Sequence, residues 1–232
     1  MNKEQVISDL EQIMAREQPI EVLNFYKGLP VTSNAKMKSL EGEIAVLKVE
    51  PPHSVCLEWE DTTWLLVGEP QGAVSCSVLS FNILEGIARL GEWDLPDSRF
   101  GNRMNVRLEP DEPLEMDLEG PEGTITARLH DVSLTGVGMQ LPAEIREKTF
   151  QKYDRVKFTL RLPTGSMRLS GQIKTITPLE EDERLGIVFT ETITQRGIIP
   201  SYLSCRRIAI LQELASRYDM AYEAQVAARE MK

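Results

Sequence analysis

Arg155-Val156-Lys157-Phe158-Thr159-Leu160-Arg161-Leu162 decides the fold class. Val156, Phe158, Leu160 and Leu162 alternate with Arg155, Lys157 and Arg161. A period of two puts the apolar side chains on one face and the cations on the other, the pattern of a half-buried strand. Leu162-Pro163-Thr164-Gly165-Ser166-Met167-Arg168-Leu169 follows directly and reads as a hairpin. Outward from this point the alternation recurs. Leu114, Met116 and Leu118 share a face, as do Ile125, Ala127 and Leu129. S-G-Q-I-K-T-I at 170–176 and L-G-I-V-F at 185–189 complete the set. Short, evenly spaced strands favour a closed antiparallel barrel over an α/β domain.

The first half carries the same signal. Ile44, Val46 and Val49 begin it. V-C-L-E-W at 55–59 reads as a strand with Val55, Leu57 and Trp59 on one face. Thr63, Leu65 and Val67, then Val74, Cys76 and Val78, continue it. The breaks are P-P at 51–52, E-P-Q-G at 69–72 and Gly86. Four or five short strands point to a second small barrel or sandwich. Helical spacing appears only at the ends. Val6, Leu10, Ile13 and Met14 mark a short amphipathic helix over 3–16. Ile208, Leu211, Leu214, Ala215, Tyr218 and Tyr222 form one stripe of a long helix over 201–230. The expected fold is mainly β: two small antiparallel β-barrels in tandem, with a short N-terminal helix and a long C-terminal helix. The expected domains are 1–95, 96–200 and 201–232. The distal half of the long helix could reach a second chain, which points to a homodimer.

The chain has 232 residues and a formal charge of -10. That balance argues against coating of nucleic acid, which needs many cationic contacts to phosphate. Cys56, Cys76 and Cys205 are scattered, and His53 and His130 lack ligand spacing, so structural zinc is not expected. The early charges of the N-terminus do not fit a signal peptide, and no apolar run is long enough to span a membrane. A cytoplasmic protein is the expectation.

Against this acidic background, R-F-G-N-R-M-N-V-R spaces Arg99, Arg103 and Arg107 by four in a polar segment, 96–113, rich in Pro and Gly. A guanidinium can grip a phosphate with two donors, read guanine O6 and N7, or stack on a base. Taken alone, the three arginines read as solvated linker charges. D-V-S-L-T-G at 131–136 follows a strand. Asp131 and Ser133, two apart, would face the same way in a strand. Asp131 can accept from guanine N1–H and N2–H, and Ser133 can give or accept one further bond. Gly136 tolerates positive φ and a close backbone approach to a ligand. Taken alone, this is a turn between strands. His130, next to Asp131, is expected on the opposite strand face, lining the surface. Together the two segments suit a compact anion that contains both guanine and phosphate.

R-M-N-V-R at 103–107 followed by D-V-S-L-T-G at 131–136 resembles the PilZ domain family of bacterial cyclic di-GMP receptors. The resemblance covers roughly residues 99–195, L-G-I-V-F included. It implies a six-stranded antiparallel barrel with a trailing helix. It implies that Arg103 and Arg107 hold phosphates and guanine faces, that Asp131 and Ser133 take guanine-edge contacts, and that Gly136 keeps the turn open. Arg99 also makes an R-x-x-x-R pair with Arg103 and is a further candidate. Asn102 stands where another arginine often precedes the motif, which implies weaker binding or a single dinucleotide in place of an intercalated dimer. The first half, with L-N-F-Y-K-G-L-P-V at 23–31, is similar to the companion barrel of flagellar-brake-type proteins. In such proteins ligand binding at the linker changes the angle between barrels. The implied function is non-catalytic, with an unidentified protein target in flagellar or polysaccharide machinery.

Three rivals are weaker. An enzyme would need a recognisable catalytic arrangement, and no H-E-x-x-H, G-x-S-x-G or Walker pattern occurs. A single-strand-binding barrel would need aromatic platforms and a basic groove, and aromatics are only 6%. A ligand-independent PilZ-type adaptor would have lost the central residues, which are present.

Overall fold

The period-two alternation becomes strands that close on themselves twice. The computed structural model describes residues 2–67, 72–94, 106–120, 123–142, 150–179, 182–190 and 197–230. Helix α1 (Lys3–Ala15) opens on Asn2, whose side chain accepts from the Gln5 N–H at 2.8 Å. The cap satisfies a backbone donor that has no partner within the helix. Val6 and Leu10 bury its apolar face in the first core. Then come β1 (Ile20–Tyr26), β2 (Leu29–Glu41), β3 (Ile44–Lys48), helix α2 (Pro51–Trp59), β4 (Thr62–Val67), β5 (Gly72–Asn82) and β6 (Ile87–Asp94). They close in the order β1-β2-β3-β6-β5-β4. Val22, Leu47, Leu65, Val74 and Leu90 fill the interior.

Three expectations for this half are corrected. V-C-L-E-W is not a strand but the end of α2. Val55, Cys56 and Leu57 are all buried in succession while Trp59 is 48% exposed, and a half-buried strand cannot bury three neighbours in a row. Pro51-Pro52 is a helix start and not a simple break, because a proline at the first helical position gives up an N–H that had no partner there. The barrel also has six strands, where four or five were expected, because β1 and β2 precede Ile44. The E-P-Q-G break lies largely outside the described residues.

A buried polar knot holds α2. Thr63 Oγ1 donates to Asn24 Oδ1 at 2.6 Å, and Asn24 Nδ2 donates to Glu60 Oε2 at 3.1 Å and to the Thr62 carbonyl at 2.9 Å. His53 Nε2 lies 3.0 Å from the same Asn24 Oδ1, an acceptor, so Nε2 carries the proton. Nδ1 is buried with no hydrogen-bond partner among the described residues. Burial pushes the His53 pKa from 6.5 down to about 4.

The second barrel contains β7 (Glu115–Gly120), β8 (Gly123–Val132), β9 (Gly136–Leu141), β10 (Arg155–Leu162), β11 (Gly165–Pro178) and β12 (Glu183–Phe189). These close as β10-β11-β12-β9-β8-β7. In β10 the four alternating apolar residues are all buried, and Leu162 pairs with Gly165 across the expected hairpin. The fold class read from the sequence is thus borne out, with six strands in each barrel.

Helix α3 (Ile198–Glu230) buries Leu214 of the expected stripe, but the rest of its buried face differs. Ile199, Tyr202, Arg206, Ile210 and Leu214 are buried, whereas Ile208, Leu211 and Tyr222 are 57%, 47% and 42% exposed. The buried stripe contains an arginine, so a count of apolar residues missed it. The chain divides into two compact units. One comprises Met1–Tyr26, Pro30–Met104 and Ile210–Lys232; the other comprises Lys27–Leu29 and Asn105–Ala209. Within the first, the Tyr26 hydroxyl donates to Glu213 Oε1 at 2.8 Å, and the Arg217 guanidinium lies 5.1 Å from the Trp59 ring centre.

His53 gives this half a pH dependence. The folded pKa is below the unfolded one, so the unfolded chain takes up the proton first and stability falls as pH drops from 6.5 towards 4. Thermal melting across this range should show the fall, and His53→Gln should flatten it. An equal slope in the variant assigns the acid sensitivity to other groups.

Candidate functional site

Two backbone hydrogen bonds position the first motif beside the second. The Leu108 N–H donates to the Val132 carbonyl at 2.9 Å, and the Val132 N–H donates back to Leu108 at 3.0 Å. Leu108 is buried, so it anchors this stretch as a short extra strand against the end of β8. Arg107, the residue before it, stands at the rim, its Nη1 3.8 Å from Asp131 Oδ1. Arg99 and Arg103 lie outside the described residues.

Asp131 is the centre of the site. Its side chain is only 5% exposed, yet three cationic or potentially cationic groups surround it. Arg184 of β12 pairs with Oδ2, His130 Nδ1 lies 3.3 Å from Oδ2, and Arg107 stands near Oδ1. Burial alone would raise the Asp131 pKa. His130, Arg184 and Arg107 outweigh it and hold the carboxyl below its ordinary value, so it is an anion near neutral pH. Oδ1 is buried and has no hydrogen-bond partner among the described residues, since Arg107 stands beyond bonding distance. A buried acceptor of this kind can take a donor from a ligand.

The expected place of His130 is corrected. A register shift between Leu129 and Asp131 breaks the alternation of β8 against β9, and His130 turns to the same carboxylate instead of the opposite face. Ser133 and Gly136 are corrected as well. β8 ends at Val132, so Ser133 sits in the turn and not on the strand face with Asp131. Its hydroxyl is buried, donates to the Gly136 carbonyl at 3.2 Å and accepts from the Thr135 N–H at 3.3 Å. Gly136 is not among the residues with positive φ. A side chain there would run into the Ile187 backbone carbonyl, so this glycine serves the close approach of β9 and β12.

Two contributors were missed. Arg184, far along the chain, reaches Asp131 because β12 pairs with β9 and β9 with β8. Gly138 pairs directly with Asp131, and a Cβ on it would come 2.7 Å from Asp131 Oδ2. The second glycine of G-V-G at 136–138 was the available signal. Among the described residues no cluster of three or more His, Cys, Asp or Glu could hold a metal, and no helix is long and apolar enough to cross a membrane.

Gly138→Ala should displace the Asp131 carboxylate and lower stability by about 1–3 kcal/mol, the usual cost of overpacking. Urea denaturation measures this. A loss under about 0.5 kcal/mol, the scatter of an inconsequential surface change, would show that the carboxylate moves aside freely.

Residues 101–200 match the family described as PilZ domain. Comparison with curated protein sequences gives no match. Solved structures similar to this chain include YcgR from Escherichia coli in complex with c-di-GMP, at 15% identity over 100% of this chain and 96% of that one, TM-score 0.38. The K. pneumonia MrkH–c-di-GMP complex is similar at 11% identity over 97% of each chain, TM-score 0.40. The Bacillus subtilis inhibitor of motility is similar at 15% identity over 86% of this chain and 94% of that one, TM-score 0.37. The family match spans both motifs and all six strands of the second barrel, so residues 101–200 are similar to a PilZ domain.

Proposed function

We propose that this protein is a non-catalytic cyclic di-GMP receptor that acts in the cytoplasm. The observation that carries this reading is Asp131: a buried carboxylate, held anionic, with Oδ1 lacking a hydrogen-bond partner among the described residues and Arg107 beside it. An acceptor of that kind matches the paired N1–H and N2–H donors of guanine, and a guanidinium at its edge matches phosphate or the guanine Hoogsteen edge. In this reading Arg103 and Arg107 are the main cationic contacts and Arg99 a further one. Ser133 and Gly136 shape the turn that presents Asp131. The ligand is one cyclic di-GMP or an intercalated dimer. Binding shifts the arrangement of the two barrels and alters contact with a protein target in motility or exopolysaccharide output. The exposed Leu211 and Tyr222 of α3 support a homodimer. The alternative is a ligand-independent adaptor. One observation favours it: Arg184 already pairs with Asp131, so the carboxylate has a cation without any ligand.

Titration calorimetry with cyclic di-GMP separates the two. The receptor reading expects saturable binding that Arg107→Ala reduces at least about tenfold, the cost of one charged hydrogen bond. Absence of heat and of any thermal shift at high ligand concentration establishes the adaptor. Sedimentation should give a mass of twice 26.2 kDa, and Leu211→Glu with Tyr222→Glu should return it to one chain. A monomeric wild type removes the homodimer.

A further inference from the structure

The stretch that carries Arg107 is held from a second side by a turn distant in sequence. Lys27 and Gly28 join β1 to β2 with φ of 50° and 78°, two successive left-handed residues as in the tight hairpin turn of type I′. The Glu109 N–H donates to the Lys27 carbonyl at 3.2 Å. At Gly28 there is no room for a side chain, because a Cβ would fall onto the Arg107 carbonyl oxygen and stand 3.1 Å from its carbon. Positive φ alone would have admitted Asn or Asp. The collision with the Arg107 peptide does not. Lys27 takes a left-handed φ that lysine seldom adopts, and its ammonium lies 4.0 Å from Asp111 Oδ1.

Arg206 closes the clamp. It is 4% exposed, donates from Nε to the Glu109 carbonyl at 2.7 Å and from Nη1 to Asp111 Oδ1 at 3.0 Å. Burying a guanidinium is expensive unless its donors are paired, and here Nε and Nη1 both are. Residues 108–111 are therefore held by Val132, by the Lys27–Gly28 turn and by Arg206. Arg107 is the next residue outward, and its guanidinium stands within 3.8 Å of Asp131.

We infer that Lys27, Gly28 and Arg206 are positioning residues for nucleotide binding, which set the Arg107 peptide so that its guanidinium faces the Asp131 carboxylate. The inference rests on the reading of Arg107 as a ligand contact. The clamp touches no ligand. It acts through the backbone on which Arg107 is carried, and a displacement of a fraction of an ångström there would open the site.

Calorimetry with cyclic di-GMP on the full chain tests this in a double-mutant cycle. Gly28→Ala should weaken binding about tenfold or more. In the background of Arg107→Lys, which keeps a charge but loses the planar fork, the same change should have little further effect, since Gly28 acts through Arg107. Asp111→Asn serves where Gly28→Ala perturbs folding by circular dichroism. Its carboxylate is 69% exposed, and its loss should weaken binding a few-fold in the wild type and not in Arg107→Lys. Wild-type affinity in both single variants overturns the inference while leaving the receptor reading intact. So does an additive loss in the double variants, which would mark a general structural role. Absence of binding by the wild type overturns both.

Discussion

Everything in the candidate site depends on the reciprocal pair of backbone hydrogen bonds between Leu108 and Val132. Without it, the arginine segment would be a charged tether with no fixed relation to Asp131. With it, the segment continues the sheet by one residue pair, and the side chain just before Leu108 is delivered to the rim beside the end of β8. Backbone bonds suit this task because they satisfy groups that would otherwise be left unpaired next to a buried leucine. The specificity of the site is thus attached to the least specific part of the chain.

The electrostatics follow from that placement. A buried carboxylate is costly unless cations or hydrogen bonds compensate it. Asp131 has Arg184 and His130 on one oxygen and Arg107 near the other. The sheet makes space for this group by omitting side chains. Gly138 leaves the carboxylate its volume, and Gly186, its partner on β12, leaves the same for the Thr175 hydroxyl. A row of small residues across β9 and β12 therefore reflects what lies over it.

The sequence was most readable where one face of a strand meets solvent. β10 alternates because its outward residues are charged and its inward ones fill the core. The same rule failed for α2, where apolar residues occur in succession and a strand and a short helix look alike until the prolines are read as a helix start. It failed for α3, whose buried stripe runs through Arg206. In the site, Asp131 and Arg107 were legible as motif members. Arg184 was not, because its nearness to Asp131 arises from pairing across three strands. His130 was misplaced because one register shift reverses the face of a side chain.

The contact of Tyr26 with Glu213 has a consequence in time. The two residues are 187 positions apart and belong to the same compact unit. At a synthesis rate of about 5–20 residues per second, the first barrel, complete at Asp94, is made roughly 6–24 s before the part of α3 that packs beside Tyr26 and Trp59. Through that interval the nascent first barrel has its aromatic pair and its buried polar knot but not its contacts with Glu213 and Arg217. Maturation of the first unit therefore waits on α3, and any factor that attends the protein during synthesis meets Tyr26 without Glu213 and Trp59 without Arg217.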